Sequence, residues 1–268
     1  MSISQTSSAA TALHSVQRNQ SLQDRALQQL STGRSVNSVS DNSQAFVLAS
    51  GLLDRAGSLS DVGRSIGQGI GALQAANTGL EAISQVVNQL KSVAQQAQAS
   101  SDPTEQANLQ NQYNALRGQI DGLASDSSYN GTNLISANPG SLTVAGSGVT
   151  ISGAASDASS LGISAAAGWS GGAANIQSDL TALDQASRSL RSQASDLGSA
   201  VTRLQTQADF AQSQGAIASQ GANRLTQADL NEAASSAQSA NTYRKLGLAA
   251  LRNSGQGQEA VLALFSRR

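Results

Sequence analysis

The chain has 268 residues, enough for one or two domains, and a net charge of −1 at pH 7. This balance provides no electrostatic footprint for nucleic acid or for an anionic membrane surface. The absence of cysteine excludes disulfide scaffolds and cysteine-ligated metal sites. No run of about 18 apolar residues is present, and no basic segment precedes a short apolar run at the N-terminus. We therefore expect neither a transmembrane helix nor a cleaved signal peptide.

The N-terminal segment carries a helical stripe that polar residues interrupt. Its members recur at heptad spacing: Leu13, Val16, Gln20, Gln23, Leu27 and Leu30. Because two glutamines weaken the seam, we expect this helix to be unstable until it pairs with the C-terminal segment. Gly33 follows as a stop signal. The polar residues after it, among them Arg34, Asn37 and Asp41, are typical of turns and caps.

A longer apolar stripe, with spacings of three and four residues, predicts a helix over about 59–97. Its glycines each cost about 0.5–1 kcal/mol relative to alanine, so the helix needs packing partners. The cluster Gly67–Gly71 is similar to a nucleotide-binding loop. Such a loop follows a strand and opens a helix, whereas this cluster lies inside the helical stripe, so we reject that interpretation.

The next elements are a third helix and a β-like region. Asp102 is a capping residue and Pro103 suits the first helical position, so a helix is predicted to begin there and to end near 125. The pair Asn130–Gly131 indicates a tight turn. Alternation of apolar and polar residues predicts a hairpin over 141–152. Residues 153–173, which include Trp169, are rich in small residues and predict a loop.

The remaining chain returns to helical patterning. A second long helix is predicted from about residue 174 to 211 and can pair antiparallel with the first. An alanine-rich helix follows over about 227–252, where we expect Gly255 and Gly257 to interrupt it before an apolar stretch at 259–265. The predicted fold class is mainly α. It is a long antiparallel helical bundle or coiled coil with a small β-hairpin region, and its N- and C-terminal helices pair.

Residues with catalytic or metal-binding chemistry are sparse. His14 is the only histidine, and one histidine without cysteine does not meet the usual ligand count, so we interpret it as a solvated helix position. The carboxylates lie scattered on predicted helix faces instead of forming a glycosidase pair: Asp54, Asp61, Glu81, Asp102 and Glu105. We expect no enzymatic activity and no cofactor.

Two motifs resemble those of one known family. Residues 30–42, LSTGRSVNSVSDN, resemble the N-terminal signature of bacterial flagellins, and residues 129–135, YNGTNLI, resemble the family's Asn-Gly turn. The small-residue helical stretch from Asn223 to Arg268 is similar to the family's C-terminal region. The resemblance covers about 1–137 and 175–268 and implies a structural subunit that polymerises into the flagellar filament for motility. The alternatives are a hook–filament junction protein and a secreted coiled-coil adhesin or effector.

The resemblance also implies an organisation into domains. We expect an inner-core coiled coil of 1–43 and 225–268, and a helical-bundle domain of 44–224 with its hairpin and outer loop at about 132–173. The residues expected to form polymer contacts are Leu13, Val16, Leu27, Leu30, Arg34, Asn37, Asp41, Leu251, Val261, Leu264 and Phe265. Some flagellins carry O-glycans on their outer segments, and here the hydroxyls expected to be accessible are Thr143, Thr150 and Ser156.

Partners and location follow from the same resemblance. The implied partners are further copies of the chain, a flagellar export chaperone, and the hook-associated and cap proteins. The implied location is the extracellular flagellum, reached without a cleaved signal peptide. Neither nucleic acid nor membrane insertion is expected.

Recognition by animals is expected to be poor. Receptor-active flagellins carry a helix motif that the innate receptor Toll-like receptor 5 binds. The matching stretch here, Leu90–Ala99, keeps the apolar seam but replaces the outward arginine, glutamate and leucine with Ser92, Gln95 and Gln96. We expect weak or no activation of this receptor.

Overall fold

The computed structural model describes the backbone of residues 2–146 and 148–265, and the side-chain exposure of residues 10–146, 148–257 and 259. Within these residues the order of elements is α1 (Ser2–Thr32), α2 (Ser43–Ala99), α3 (Pro103–Asp126), β1 (Ser128–Tyr129), β2 (Thr132–Asn133), β3 (Ser141–Val144), β4 (Val149–Ser152), α4 (Ala173–Thr226) and α5 (Leu230–Phe265). The predicted mainly α class is confirmed. Over the described residues, none of these helices has the length and apolarity that crossing a bilayer requires.

The chain divides into two compact units. The terminal unit consists of residues 1–56 and 217–268, and the central unit of residues 57–216. Helices α1 and α5 belong to the terminal unit, whereas α3 and all four strands belong to the central unit. The division lies inside α2 and α4, whereas the boundaries expected from the resemblance lie near the outer ends of these helices.

In the central unit, α2 and α4 pair in antiparallel orientation. Lys91 Nζ lies 2.6 Å from Asp184 Oδ1, and Gln98 Nε2 donates to Gln177 Oε1 at 2.9 Å, so residue numbers fall on α4 as they rise on α2. The largest fully buried side chains of this unit include Ile66, Leu73, Leu80, Ile83, Leu90, Tyr113, Ile120, Leu134, Ile135, Ile163, Trp169 and Ile176. Each contributes about 1.5–3 kcal/mol by leaving water. The central unit therefore has a core of its own.

Helix α3 begins as its sequence predicts. Asp102 has an extended backbone and its Oδ1 accepts a hydrogen bond of 2.8 Å from the Thr104 N–H. Pro103 occupies the first turn, where a missing N–H donor has no cost. A cap of this kind stabilises a helix by about 1 kcal/mol.

Two small hairpins follow α3. The two-residue strands β1 and β2 pair antiparallel, with Tyr129 opposite Thr132. Asn130 and Gly131 between them have φ values of +49° and +79°, as the two central residues of a type I′ turn require. Strands β3 and β4 also pair antiparallel, with Leu142 opposite Ile151. Both the turn and the hairpin are confirmed.

Residues 157–171, here called the strap, are irregular as predicted, but they are fastened along α3. Polar side chains from one stripe of α3 bind the strap backbone at five positions. Asp121 Oδ1 accepts from Ala158 N (2.9 Å), Arg117 Nε donates to Ile163 O (2.8 Å), Asn114 exchanges two bonds with Ala166 (2.8 and 3.1 Å), and Gln110 and Gln106 accept from Trp169 N (3.1 Å) and Gly171 N (2.9 Å). The stripe thus satisfies backbone groups much as a neighbouring strand would.

Trp169 anchors the strap in the core. Its side chain is fully buried and meets the ring of Tyr113 edge to face, with ring centroids 5.1 Å apart. Its Nε1–H donates to Asp179 Oδ2 at 2.7 Å. Burial raises the pKa of the Tyr113 phenol, and burial raises the pKa of the Asp179 carboxyl against the lowering effect of the Trp169 bond. Through Trp169, the strap therefore forms part of the hydrophobic core of the central unit.

In the terminal unit, α1 and α5 pair along a seam of small residues. Gly33 N–H bonds to Gln29 O at the end of α1, and Ala228 N–H returns to Gly33 O, so the two helices run antiparallel from this point. The α1 residues of the seam that are buried or half-buried are Ala12, Val16, Asn19, Gln23, Ala26 and Leu30, and those of α5 are Ala233, Ala237, Ala240, Arg244, Gly247 and Leu251.

The seam differs from the predicted stripe by a rotation of α1. Leu13 and Leu27 were expected in the seam, yet each is 49% exposed, and Ala12 and Ala26 take the inward positions. The reason is the close approach of α5. A Cβ on Gly247 would lie 2.6 Å from Val16 Cγ2, so the helices are too close for leucine at neighbouring seam positions.

The predicted interruption of the last helix is wrong. Helix α5 continues through Gly255 and Gly257 to Phe265. Both glycines are exposed and neither has a positive φ. A helical glycine costs only about 1 kcal/mol relative to alanine, so two exposed ones weaken this helix without ending it.

Candidate assembly interface

Residues 33–42, here called the junction loop, connect α1 to α2 and bind the turn between α4 and α5. Ser35 N–H donates to Thr226 O at 2.7 Å, and Ala228 N–H donates to Gly33 O at 3.0 Å. Arg34 and Gln227 form an antiparallel bridge across the same contact. The N- and C-terminal segments are therefore held together by backbone hydrogen bonds as well as by the helical seam.

The junction loop keeps its shape through side-chain caps. Asp41 Oδ2 accepts hydrogen bonds from Asn37 N (3.0 Å), Ser38 N (2.9 Å) and Ser38 Oγ (3.1 Å). Asn37 Nδ2 donates to Arg34 O at 3.2 Å. Asn42 Oδ1 accepts from Ala45 N at 3.0 Å and so caps the start of α2.

The Asp41 cap should respond to acid. The backbone N–H of Asn37, followed by the groups of Ser38, holds the pKa of the Asp41 carboxyl below its ordinary value. A carboxyl whose folded pKa is lowered stabilises the fold above its unfolded pKa, and this effect is lost as pH falls through the lower, folded value. We therefore expect the amide proton shifts of Asn37 and Ser38 to move as pH falls below about 4.

Asp41→Asn provides the matched variant for this titration. Its amide keeps the size of the side chain and cannot ionise, so the same two shifts should already resemble the acid form at neutral pH and should not titrate. The measurement is an NMR pH series on both chains. A titration that survives in Asp41→Asn would assign it to another group.

Exposed apolar side chains concentrate on the terminal unit. Among the described residues, the large apolar side chains that are exposed there are Leu13, Leu22, Leu27, Val39, Val47, Leu48, Leu53, Ile217, Leu230, Tyr243, Leu246 and Leu248. The central unit exposes only Tyr129 and Phe210 among its described large apolar residues. Their concentration on one unit makes the surface of that unit the candidate interface.

Comparison with known sequences identifies the family. Residues 3–139 match the bacterial flagellin N-terminal helical region, and residues 180–265 match the bacterial flagellin C-terminal helical region. The chain belongs to the bacterial flagellin family. Flagellins are structural subunits of the flagellar filament, and the paired termini and the exposed apolar surface suit a subunit of this kind.

Individual flagellins match at low identity over different lengths. Flagellin FljM and flagellin FljK of Caulobacter vibrioides are 26% and 24% identical, each over 98% of both chains. A flagellin of Aquifex aeolicus is 34% identical over 47% of this chain and 25% of its own length. Among solved structures, Bacillus cereus flagellin is similar with 21% identity and a TM-score of 0.48, covering 55% of this chain and 88% of its own.

The interface residues expected from the flagellin resemblance fall into three groups. Leu13, Leu27, Arg34 and Asp41 are exposed. Val16 is buried in the seam between α1 and α5, and Leu30 and Leu251 are half-buried in that seam. Asn37 is half-buried in the junction loop. Val261, Leu264 and Phe265 lie outside the residues whose side chains are described. Among the exposed members, Leu13 and Leu27 on α1 remain candidates for contact with another subunit.

Sequence reasoning missed most of the exposed apolar residues on α2 and α5. Val47 is 64% exposed, Tyr243 61% and Leu246 60%. They escaped notice because periodicity identifies one stripe per helix and assigns it to the core. A search for large apolar residues at helix positions outside the core stripe would have identified them.

The three hydroxyls expected to accept glycans separate into two classes. Thr143 and Thr150 are exposed and lie opposite each other on β3 and β4. Ser156 is fully buried, and its Oγ bonds to Gln193 Oε1 at 2.5 Å and to Ala154 O at 3.1 Å. The expected accessibility of Ser156 is therefore wrong for the folded chain, because the chain after β4 turns inward toward the core.

Residues with catalytic chemistry do not converge. Over the described residues, no three histidine, cysteine, aspartate or glutamate side chains come close enough to hold a metal ion together. His14 is exposed on α1. Asp61 pairs with Arg64 within α2. Asp54, Glu81 and Glu105 are exposed on their helices, and Asp102 caps α3.

Proposed function

We propose that this flagellin-family chain polymerises into the flagellar filament through its terminal unit. The observation that supports the proposal is the concentration of exposed apolar side chains on the terminal unit. The central unit, by contrast, buries nearly all of its described large apolar side chains in a core of its own. A half-exposed leucine that becomes buried between subunits contributes about 1 kcal/mol, and the contribution recurs at every subunit. Residues such as Leu13, Leu27 and Val47 therefore face neighbouring subunits.

The test is assembly of the purified full-length chain. Concentrated protein should form filaments visible by negative-stain electron microscopy, and a truncated chain of residues 57–216 should stay dispersed at the same concentration. Filaments of the central unit alone would move the interface out of the terminal unit. A full chain that remains monomeric under all assembly conditions would contradict the proposal.

Further partners follow from membership of a filament. A cell must keep the apolar terminal surface of the unassembled subunit from aggregating, so an export chaperone should bind it before assembly. Hook-associated and cap proteins should contact the same terminal unit at the two ends of the filament. The location proposed for the assembled chain is extracellular, with export that leaves the N-terminal helix uncleaved.

O-glycosylation of Thr143 and Thr150 is a proposal for the outer hairpin. Both hydroxyls are exposed, whereas Ser156 is removed from the set by its burial. A purified chain whose mass equals that of the unmodified sequence would remove the proposal.

We expect weak activation of Toll-like receptor 5, because the exposed surface of α2 lacks the charged residues of the receptor-binding motif. In the stretch Leu90–Ala99, Leu90 and Val93 are buried, while Ser92, Gln95 and Gln96 are exposed. A hydrogen bond to a charged group is worth about 1.5–3 kcal/mol, and 1.4 kcal/mol corresponds to tenfold in affinity. Replacing an arginine and a glutamate by these small polar residues should weaken binding about a hundredfold or more.

A reporter-cell assay with purified monomer measures this directly, beside a receptor-active flagellin. The matched variant restores the motif's charges with Ser92→Arg and Gln95→Glu, both at exposed positions, and should raise potency. Equal potency of the parent chain and the receptor-active flagellin would show that other residues make the contact.

A further inference from the structure

The Asn130–Gly131 turn combines features of a chemical modification site. It is the only Asn-Gly pair in the sequence, and both residues are exposed. Gly131 carries no side chain that would shield its backbone nitrogen from the Asn130 side chain. Asparagine in such a setting is a thermolabile residue.

We propose that Asn130 is a deamidation site whose rate is set by opening of the β1–β2 hairpin. In the reaction the Gly131 nitrogen attacks Asn130 Cγ, a new C–N bond closes a succinimide ring, and the side-chain amide leaves as ammonia. Water then opens the ring at either carbonyl and produces an aspartyl or an isoaspartyl residue. The net change consumes one water and releases one ammonia, with no oxidation or reduction.

The folded turn holds this reaction back. Ring closure requires rotation about the Cα–C bond of Asn130. The φ values of +49° at Asn130 and +79° at Gly131 are those of a type I′ turn, and a turn of this type restricts that bond as well. The hairpin must therefore open before the Gly131 nitrogen reaches Asn130 Cγ. With only two residues in each strand, opening is a local event that does not need the whole central unit to unfold.

The side chain of Asn133 holds this hairpin closed through four hydrogen bonds. Its Nδ2 donates to Ala124 O at 2.7 Å and to Ser125 O at 2.9 Å, which ties β2 to the end of α3. Its Oδ1 accepts from the N–H groups of Ile135 and Ser136, each at 2.9 Å. Losing these bonds should make opening more frequent without touching the reacting atoms.

The product would alter the turn. An aspartyl residue adds a negative charge at an exposed position. An isoaspartyl residue adds one carbon to the backbone, so a two-residue turn can no longer keep Tyr129 opposite Thr132. The ring of Tyr129 lies against Gly71, where an added Cβ would be 2.8 Å from Tyr129 Cζ, so this loss of register reaches the α2 surface.

The test follows position 130 by peptide mass spectrometry in the full-length chain at mildly alkaline pH. The folded chain should convert slowly and the chain unfolded in urea much faster. Asn133→Ala should convert about tenfold faster than the folded parent, the effect of losing about one net hydrogen bond. Asn130→Gln gives the background signal of a chain that has no Asn-Gly pair. Conversion of Asn42, whose Oδ1 caps α2, is followed in the same chain as an internal reference.

Two results would overturn the proposal. One is conversion of Asn130 in the folded chain as fast as in the unfolded chain, because opening of the hairpin would then not set the rate. The other is an Asn133→Ala rate equal to the parent's. Should Asn133→Ala not fold by circular dichroism, the parent's rate in urea below its unfolding transition decides: opening of a two-residue hairpin exposes little surface and predicts a rate that hardly changes with urea, whereas a steep rise would mean that larger unfolding is required. These measurements use monomer and do not depend on filament formation.

Discussion

A chain in which Leu13 and Leu27 are both replaced by serine should stay folded but need about 30-fold more subunit to form filaments. Each leucine is 49% exposed on α1, so its removal costs the monomer little. Burying both leucine side chains on assembly would contribute about 2 kcal/mol of free energy, and serine lacks the apolar surface for this contribution. The critical concentration is measured by sedimentation, with electron microscopy of the pellet.

The matched control changes exposed polar residues of the same helix. Gln17→Ser with Gln28→Ser alters α1 equally in helix propensity but removes no apolar surface, so it should assemble at the parental concentration. Circular dichroism should show both variants as helical as the parent. Assembly of the leucine variant at the parental concentration would mean that α1 contacts its neighbours through a different face.

Replacing Trp169 with alanine should lower the free energy of unfolding of the central unit by about 3–5 kcal/mol. The indole is fully buried, packs on Tyr113 and donates to Asp179, and it fastens the strap to α3 and α4. Its loss leaves a cavity and an unpaired carboxylate whose pKa is already raised by burial. Urea unfolding followed by circular dichroism measures the change.

Trp169→Phe separates packing from hydrogen bonding. A phenyl ring keeps the contact with Tyr113 but cannot donate to Asp179, so the loss should be about 1–3 kcal/mol. Phe210→Ala removes an aromatic ring that is 62% exposed and should change stability by less than about 0.5 kcal/mol. A Trp169→Ala chain as stable as the parent would show that the strap is not part of the cooperative unit.

Local signals determined the elements, because each depends on neighbours in the chain. Asp102 and Pro103 start α3, and Asn130 and Gly131 form the turn. The stripe over 59–97 lies within α2, which begins earlier, at Ser43. These features need only backbone preferences and spacing. The flagellin signature over residues 30–42 is also local, and the family resemblance could therefore be recognised from the sequence.

Tertiary structure decided which faces are buried. Periodicity predicts that α1 has an apolar stripe, but the approach of Gly247 to Val16 selects Ala12 and Ala26 for the seam and leaves Leu13 and Leu27 outside. The strap shows the same limit. Its small residues predict a loop, while its burial depends on side chains of α3 that lie 37 to 65 residues earlier in the chain. The polar stripe of α3 is visible in the sequence, but nothing in its spacing identifies the distant backbone groups that it binds, so only the folded chain reveals them.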